Sequence, residues 1–246
     1  MPRVRDGIGR SLDVYYRDAA RTGRMDQLNA QFVSKGALAF DLGAHVGDRT
    51  ASFLRLGASV VALEPQPRVF RALRLIHGRN PRAVLLSQAV GAEPGHVDIY
   101  VNSKNPTVST ASSDLIDAAK PSPDWAGQIW DTHIKARITT LDHLIATYGR
   151  PDFVKIDVEG YELSVLSGLS TPVPALSFEI TTIQRDLASA CIDRLQSIGS
   201  FEFNLSLGED HALRHAEWMT ADQMRAEIVT LPDRANSGDI YARDLT

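Results

Sequence analysis

Four short apolar runs, ALAFDLG (37–43), SVVALEP (59–65), AVLLSQAV (83–90) and DFVKIDVEG (152–160), recur with helix-spaced segments between them. Strands that are apolar throughout, rather than alternating, are covered on both faces, and this is the condition of a parallel sheet flanked by helices. In DRTASFLRLG, Phe53, Leu54 and Leu56 face the sheet and Gly57 follows as a helix C-cap. In VFRALRLIHGR, Val69, Leu73 and Ile76 stand at helical spacing and Gly78 ends the run. Two consecutive β-α-β units of this kind wind right-handedly into an open sheet. Three further strands are expected in PALSFEI (174–180), FEFNLSL (201–207) and DIYAR (239–243), with helices in ELSVLSGL and ADQMRAEIV (221–229), for a total of seven strands.

Residues 1–36 are expected to form two helices, around SLDVYYRDAAR and MDQLNAQFV, that cap a single domain running from 37 to 246. Residues 103–136 break the pattern with prolines, serines, Trp125 and Trp130, and are too long for a simple connector. They read as a lid or substrate-binding insertion, or alternatively as a solvated excursion anchored by its tryptophans. With 43% apolar and 23% charged residues the chain is neither disordered nor fibrous. A net charge of −4 gives no electrostatic reason to expect nucleic acid or an anionic membrane as partner, so a small-molecule acceptor is expected. Cys191 has no second cysteine to pair with, and the opening MPRVRDGIGRSLD lacks the apolar core of a signal peptide, which points to a reducing, cytoplasmic setting. No run approaches the roughly 20 apolar residues of a membrane span.

The pattern Asp41-x-Gly43-x-x-x-Gly47 sits at the exit of the first strand and leads into a helix. Glycines there permit a tight strand-to-helix turn and let a ligand approach bare backbone. The spacing is not GxGxxG, which argues against a dinucleotide. Glu64 ends the second strand, where a carboxylate accepts from two vicinal ribose hydroxyls. Asp41 suits a positively charged group, and S-adenosylmethionine offers both the ribose and the α-ammonium. The loop neighbours Ala44 and His45, with Pro65 beside Glu64, extend the cofactor set, and Gln88 and Ala89 fall where an adenine edge would lie.

Read in order, DLGAHVGDRT, VVALEPQP, SQAVG, NPTVST, TTLDHL and KIDVEGYE resemble the FkbM family of S-adenosylmethionine-dependent methyltransferases over roughly residues 30–243. The resemblance implies a class I methyltransferase fold: a Rossmann-like α/β sandwich whose seven-stranded, mostly parallel sheet has its last strand antiparallel. It implies O-methylation of a hydroxyl on a macrolide, sugar, lipid or other small molecule. It places Asp41, Gly43, Gly47 and Glu64 at the cofactor, and Asp157 and Glu159 between methyl donor and acceptor. His45 departs from the Asn common at its position. The readings from other classes are a non-catalytic S-adenosylmethionine-binding module and a nucleotide-linked oxidoreductase, against which the DxGxxxG spacing speaks.

Within FVKIDVEG, Val154, Ile156 and Val158 share one face, and Lys155, Asp157 and Glu159 the other. Charges near the C-terminal end of a central strand line the ligand crevice of such sheets, so Asp157, Glu159 and Lys155 are the candidate catalytic residues. Lys155 reads equally as half of a structural ion pair. Glu162, His133 and His143 are weaker candidates, Glu162 being read as a capping or surface acid. Glu179 stands at the crevice edge; with Asp157 and Glu159 it has the oxygens for a divalent cation, but no ligand spacing enforces one and no metal is expected. Glu179, Ser109 and Thr110 complete the substrate set, with Ser112 nearby.

Overall fold

The computed structural model describes residues 7–246; the first six residues of the expected cap lie outside the described residues. Two helices, α1 (Ile8–Arg17) and α2 (Ala19–Asn29), precede β1 (Leu38–Leu42), α3 (Asp48–Arg55), β2 (Ser59–Leu63), α4 (Pro67–His77) and β3 (Ala83–Leu86). A small sheet follows, made of β4 (Ala89–Val90), β5 (Gly95–Val101) and β6 (Thr132–Thr139), with α5 (Ser113–Ala119) between β5 and β6. The chain then runs through α6 (Leu141–Tyr148), β7 (Phe153–Ile156), α7 (Glu162–Ser167), β8 (Ala175–Thr181), α8 (Arg185–Ile198), β9 (Phe201–Leu207), α9 (Ala221–Thr230) and β10 (Ser237–Asp244).

The seven expected strands form one sheet in the order β3-β2-β1-β7-β8-β10-β9. Neighbours are parallel except that β10 runs antiparallel to both β8 and β9. The last strand is therefore antiparallel, as the family resemblance implies, and it lies inside the sheet between β8 and β9. On one face Phe40, Val61, Ile156 and Phe178 pack against α6 to α9 through Leu144, Leu166, Ile192 and Met224. On the other face Ala39, Val60 and Phe153 pack against Phe53 and Leu73 of α3 and α4 and Leu28 of α2. There Phe32 stacks on both Phe153 and Tyr241, with ring centroids 5.1 and 5.2 Å apart. A fully buried aromatic or leucine in such a layer contributes about 1.5–3 kcal/mol, which is why continuous apolar runs mark these strands. Among the described residues no helix is long and apolar enough to cross a membrane.

Three expectations need correction. Ile76 is exposed, and His77 closes the buried stripe of Val69 and Leu73 instead; its Nε2 reaches the Gly47 carbonyl (2.9 Å) and the Tyr16 hydroxyl (3.1 Å), partners that a helical wheel does not contain. The run 83–90 is two strands: Leu86 ends β3 in the main sheet, and Ala89 begins β4 in the other. The stretch 103–136 is not all excursion, because its end enters β6, the central strand of the small sheet. Trp125 is buried against Leu115 and Ala119, and Trp130 Nε1 donates to the Val108 carbonyl (2.8 Å), so both tryptophans anchor the segment. Its residues Pro106, Thr107, Ser109 and Ala111 nevertheless reach the pocket described next.

Candidate functional site

The sheet register does the first positioning. Asp41 on β1 lies beside Lys155 on β7, and Glu179 on β8 lies beside Asp239 on β10. At the C-terminal ends of the parallel strands, where open α/β sheets bind ligands, and at the start of the antiparallel β10, a pocket of about 240 Å³ opens. Asp41, Gly43, Ala44 and His45 line it from the β1 loop, Glu64 and Pro65 from the end of β2, and Gln88 and Ala89 from the seam between the two sheets. Asp157, Glu159, Glu179 and Ser109 line the other side. Most of the expected site residues therefore converge on one cavity.

Three do not line it. Gly47, at φ +87°, begins α3, and a Cβ there would meet Leu73 Cδ1 at 2.5 Å and the His77 ring at 2.6–2.7 Å; this glycine serves helix packing. Thr110 bonds the Glu159 carbonyl through its hydroxyl and Tyr100 through its backbone, so it braces the wall from behind. Lys155 is only 2% exposed, with Nζ 2.6 Å from Asp239 Oδ1 and 3.1 Å from Asp157 Oδ2. Burial disfavours the charged lysine, but these two carboxylates outweigh it and raise its pKa. Of the two readings of Lys155, the geometry favours the ion pair: its ammonium orients Asp157 and has no lone pair with which to accept a proton. His143 on α6 and His133 on β6 are exposed and lie away from the pocket.

Gly43 has a sharper requirement. At φ +82°, an ideal Cβ would fall 1.7 Å from the Asp157 carbonyl oxygen, so only glycine lets the crests of β1 and β7 meet. Beyond Ile156 the alternation read from FVKIDVEG ends, because Glu159 (φ +53°) and Gly160 (φ +87°) turn the chain. Glu162, 1% exposed, caps its own helix approach by accepting from the Val158 (3.1 Å) and Gly160 (3.2 Å) amides, and burial pushes it up to about 7. It is a capping acid, not a surface one.

The carboxylates fall into two groups. Glu64, 2% exposed, accepts from the Gln66 amide (2.7 Å) and the His45 amide (3.1 Å), one to each oxygen. Burial raises it to about 7 against those bonds. A carboxylate has about four acceptor positions, so two remain, a match for a vicinal diol. Asp41 accepts from Thr50 Oγ1 (2.5 Å), and burial raises it to about 6; with the ion-paired Asp157 it presents negative potential to a cationic group. Across the pocket Asp157, Glu159 and Glu179 each bring a carboxylate oxygen within 4.8 Å of the others. Burial, and then mutual repulsion, raises Glu159 and Glu179 well above the usual carboxylate range. Like charges this close retain protons or attract a cation.

Sequence reasoning missed one side of the pocket. Tyr15 of α1, Arg21 of α2, Asp48 and Arg49 at the start of α3, and Glu209 after β9 all line it. Burial works against the Asp48 charge, but Arg49 and Arg21 prevail and hold it below its ordinary range. The only sequence signal was the pair of acid and base directly after Gly47.

A family model described as the methyltransferase FkbM domain matches residues 41–228. The chain is 26% identical over 164 residues to the hexuronic acid methyltransferase AglP of Haloferax volcanii, a match covering 64% of this chain and 60% of that protein. Among solved structures, a TehB-like SAM-dependent methyltransferase from Corynebacterium glutamicum aligns with TM-score 0.50 and 9% identity over 96% of this chain and 94% of that one. An O-methyltransferase from Bacillus cereus in complex with SAH aligns with TM-score 0.50 and 11% identity over 96% and 86%. These two likenesses establish the fold.

Proposed function

The chain belongs to the FkbM methyltransferase family, and from that premise we propose that it transfers a methyl group from S-adenosylmethionine to a hydroxyl of a small, hydroxyl-rich acceptor such as a sugar. The observation that carries this reading is the continuity of the pocket: it joins the buried Glu64, with its two spare acceptor positions, to the carboxylates of Asp157, Glu159 and Glu179. Both halves of a two-substrate reaction share one space. The aligned relative's name gives a hexuronic acid as what it methylates, which supports a sugar-type acceptor here; the match spans 60% of that protein's length.

S-adenosylmethionine, when bound, supplies an electrophilic methyl group on a sulfonium. Glu64 accepts from the ribose diol, Asp41 and Asp157 face the cationic end, and Gly43, Ala44 and Pro65 supply close backbone, with Gln88 and Ala89 at the base. Lys155 and Asp239 hold Asp157 in place. Methyl transfer between aligned partners needs orientation and exclusion of water more than bond polarisation. A hydroxyl acceptor must also lose its proton, and a carboxylate with a raised pKa is the better base near neutral pH. Glu159, in its ionised form beside a protonated Glu179, takes that proton, and Ser109 and the α1–α2 side select the acceptor.

Isothermal titration with S-adenosylhomocysteine tests the donor half: micromolar binding is expected, and none at millimolar concentration overturns it. With a panel of sugars as acceptors, Glu159→Gln is expected to lower turnover about 100-fold or more while leaving S-adenosylhomocysteine affinity within about threefold, in the range general-base catalysis contributes. Equal turnover in the variant removes Glu159 as the base.

A further inference from the structure

One corner of the pocket is built by the three elements that sequence reasoning did not connect. The Tyr15 ring packs against two nitrogen-bearing groups: the Arg21 guanidinium carbon lies 4.9 Å from its centroid, and the His45 ring meets it in a T-shaped contact with centroids 6.1 Å apart. All three residues line the pocket.

The Arg21 guanidinium is fixed but not fully used. Nε donates to Glu209 Oε2 (2.7 Å), and Nη2 lies 2.9 Å from Asp48 Oδ2 and 2.6 Å from Glu209 Oε2. The residue is 4% exposed, yet Nη1 has no partner among the described residues. His45 is in the same position. Its backbone amide serves Glu64, while both ring nitrogens are buried without a partner among the described residues. Burial lowers its pKa to about 4, so the ring is neutral near pH 7 and carries one N–H. Buried donors, charged ones above all, are rarely left unspent in a folded protein, and here two pack against the same tyrosine in the wall of a ligand pocket.

We infer that Arg21 and His45 form a subsite for a carboxylate of the bound ligands. The free Nη1 of the guanidinium offers charged N–H donors suited to a carboxylate oxygen. Arg21 and Arg49 are already matched in charge by Asp48 and Glu209, so the corner has no spare positive charge and suits a monoanion held through N–H donors; a phosphate dianion would set its second charge against those acids. The inference rests on the methyl-donor reading of the pocket. The same chemistry has two sources: the amino-acid end of the cofactor, or a carboxylate on the acceptor.

Calorimetric titration of the full chain separates these. The probes are S-adenosylhomocysteine; 5′-methylthioadenosine, the same nucleoside thioether without the amino-acid end; and D-glucuronate against D-glucose in the presence of saturating S-adenosylhomocysteine. The variants are Arg21→Gln, His45→Phe and the charge-balanced Arg21→Gln/Glu209→Gln, with methylthioadenosine affinity as the folding control; the balanced pair replaces Arg21→Gln if that control fails. A hydrogen bond to a charged group corresponds to about ten- to hundredfold in affinity, and a loss of that size is expected for the carboxylate-bearing ligand alone. If S-adenosylhomocysteine suffers it, the subsite holds the cofactor; if only glucuronate does, it holds the acceptor. Variants that bind both within twofold of wild type overturn the inference alone. A wild-type protein that binds neither nucleoside overturns the methyl-donor reading and the inference with it.

Discussion

Replacing Lys155 by methionine isolates the interaction on which the centre of the site is built. The substitution keeps a long apolar side chain and removes the ammonium between Asp239 (2.6 Å) and Asp157 (3.1 Å). Asp239, whose side chain is 11% exposed, is then left without its cation, whereas the one-third-exposed Asp157 is partly rehydrated. Removing one partner of a buried pair costs about 3–5 kcal/mol, almost all of it here from Asp239. For a chain of this length, about 2–4 °C per kcal/mol translates this into a fall in Tm of roughly 6–20 °C. The double variant Lys155→Met/Asp239→Asn removes both charges and should recover most of the loss, because an isosteric neutral pair is often as stable as the ionic one. Urea unfolding of wild type, both single variants and the double variant gives the coupling energy. A Lys155→Met variant within about 1 kcal/mol of wild type, or a double variant no more stable than the single, would show that the pair is not what holds these strands' ends and would remove Lys155 as a positioning group.

Two further outcomes follow from the geometry. Glu64→Gln should weaken S-adenosylhomocysteine at least tenfold and yet stabilise the ligand-free protein at high pH. Burial raises the folded carboxyl to about 7 from an ordinary 4.5, so its contribution is favourable below pH 4.5 and is lost as pH rises through 7. The stability of the variant relative to wild type should accordingly improve by about 2 kcal/mol between pH 5 and pH 8 in urea titrations, since a tenfold difference in proton affinity between folded and unfolded chain corresponds to about 1.36 kcal/mol; a pH-independent difference would contradict it. The two loop glycines should separate by assay. Gly43→Ala drives a Cβ against the Asp157 carbonyl and should abolish nucleoside binding, whereas Gly47→Ala crowds Leu73 and His77 and should lower Tm first while folded protein still binds; identical behaviour of the two would refute the division of roles.

The main sheet was legible because its central strands are buried on both faces and read as unbroken apolar runs bounded by glycines and prolines. The small sheet was not. THIKARIT and GHVDIYV alternate, with Lys135, Arg137, His96 and Asp98 outward and exposed, and such half-polar strands blend into loop composition. AVLLSQAV hid a change of sheet because only the polar pair Ser87 and Gln88, with no glycine or proline, marks the step. The acids at strand ends were legible, since position along a parallel strand predicts proximity to the crevice. Asp239 as the partner of Lys155, 84 residues away, was not, and neither were Tyr15, Arg21 and Glu209, because periodicity reports which face a residue occupies and not what lies opposite.

The internal, antiparallel place of β10 also bears on how the protein is made. A ribosome that has delivered β9 has delivered a sheet with a gap: β8 and β9 lack the strand that pairs with both, and Lys155 lacks its closest counterion. The backbone donors and acceptors along two strand edges then face outward, a template for pairing with another nascent chain. Closure is a long-range event, since Asp239 must return to strands formed some 60 to 84 residues earlier, and contacts of that span form slowly. The pocket end of the sheet is thus completed in the same step that pairs these two facing edges, and an unfinished chain can neither hold the candidate site nor hide them.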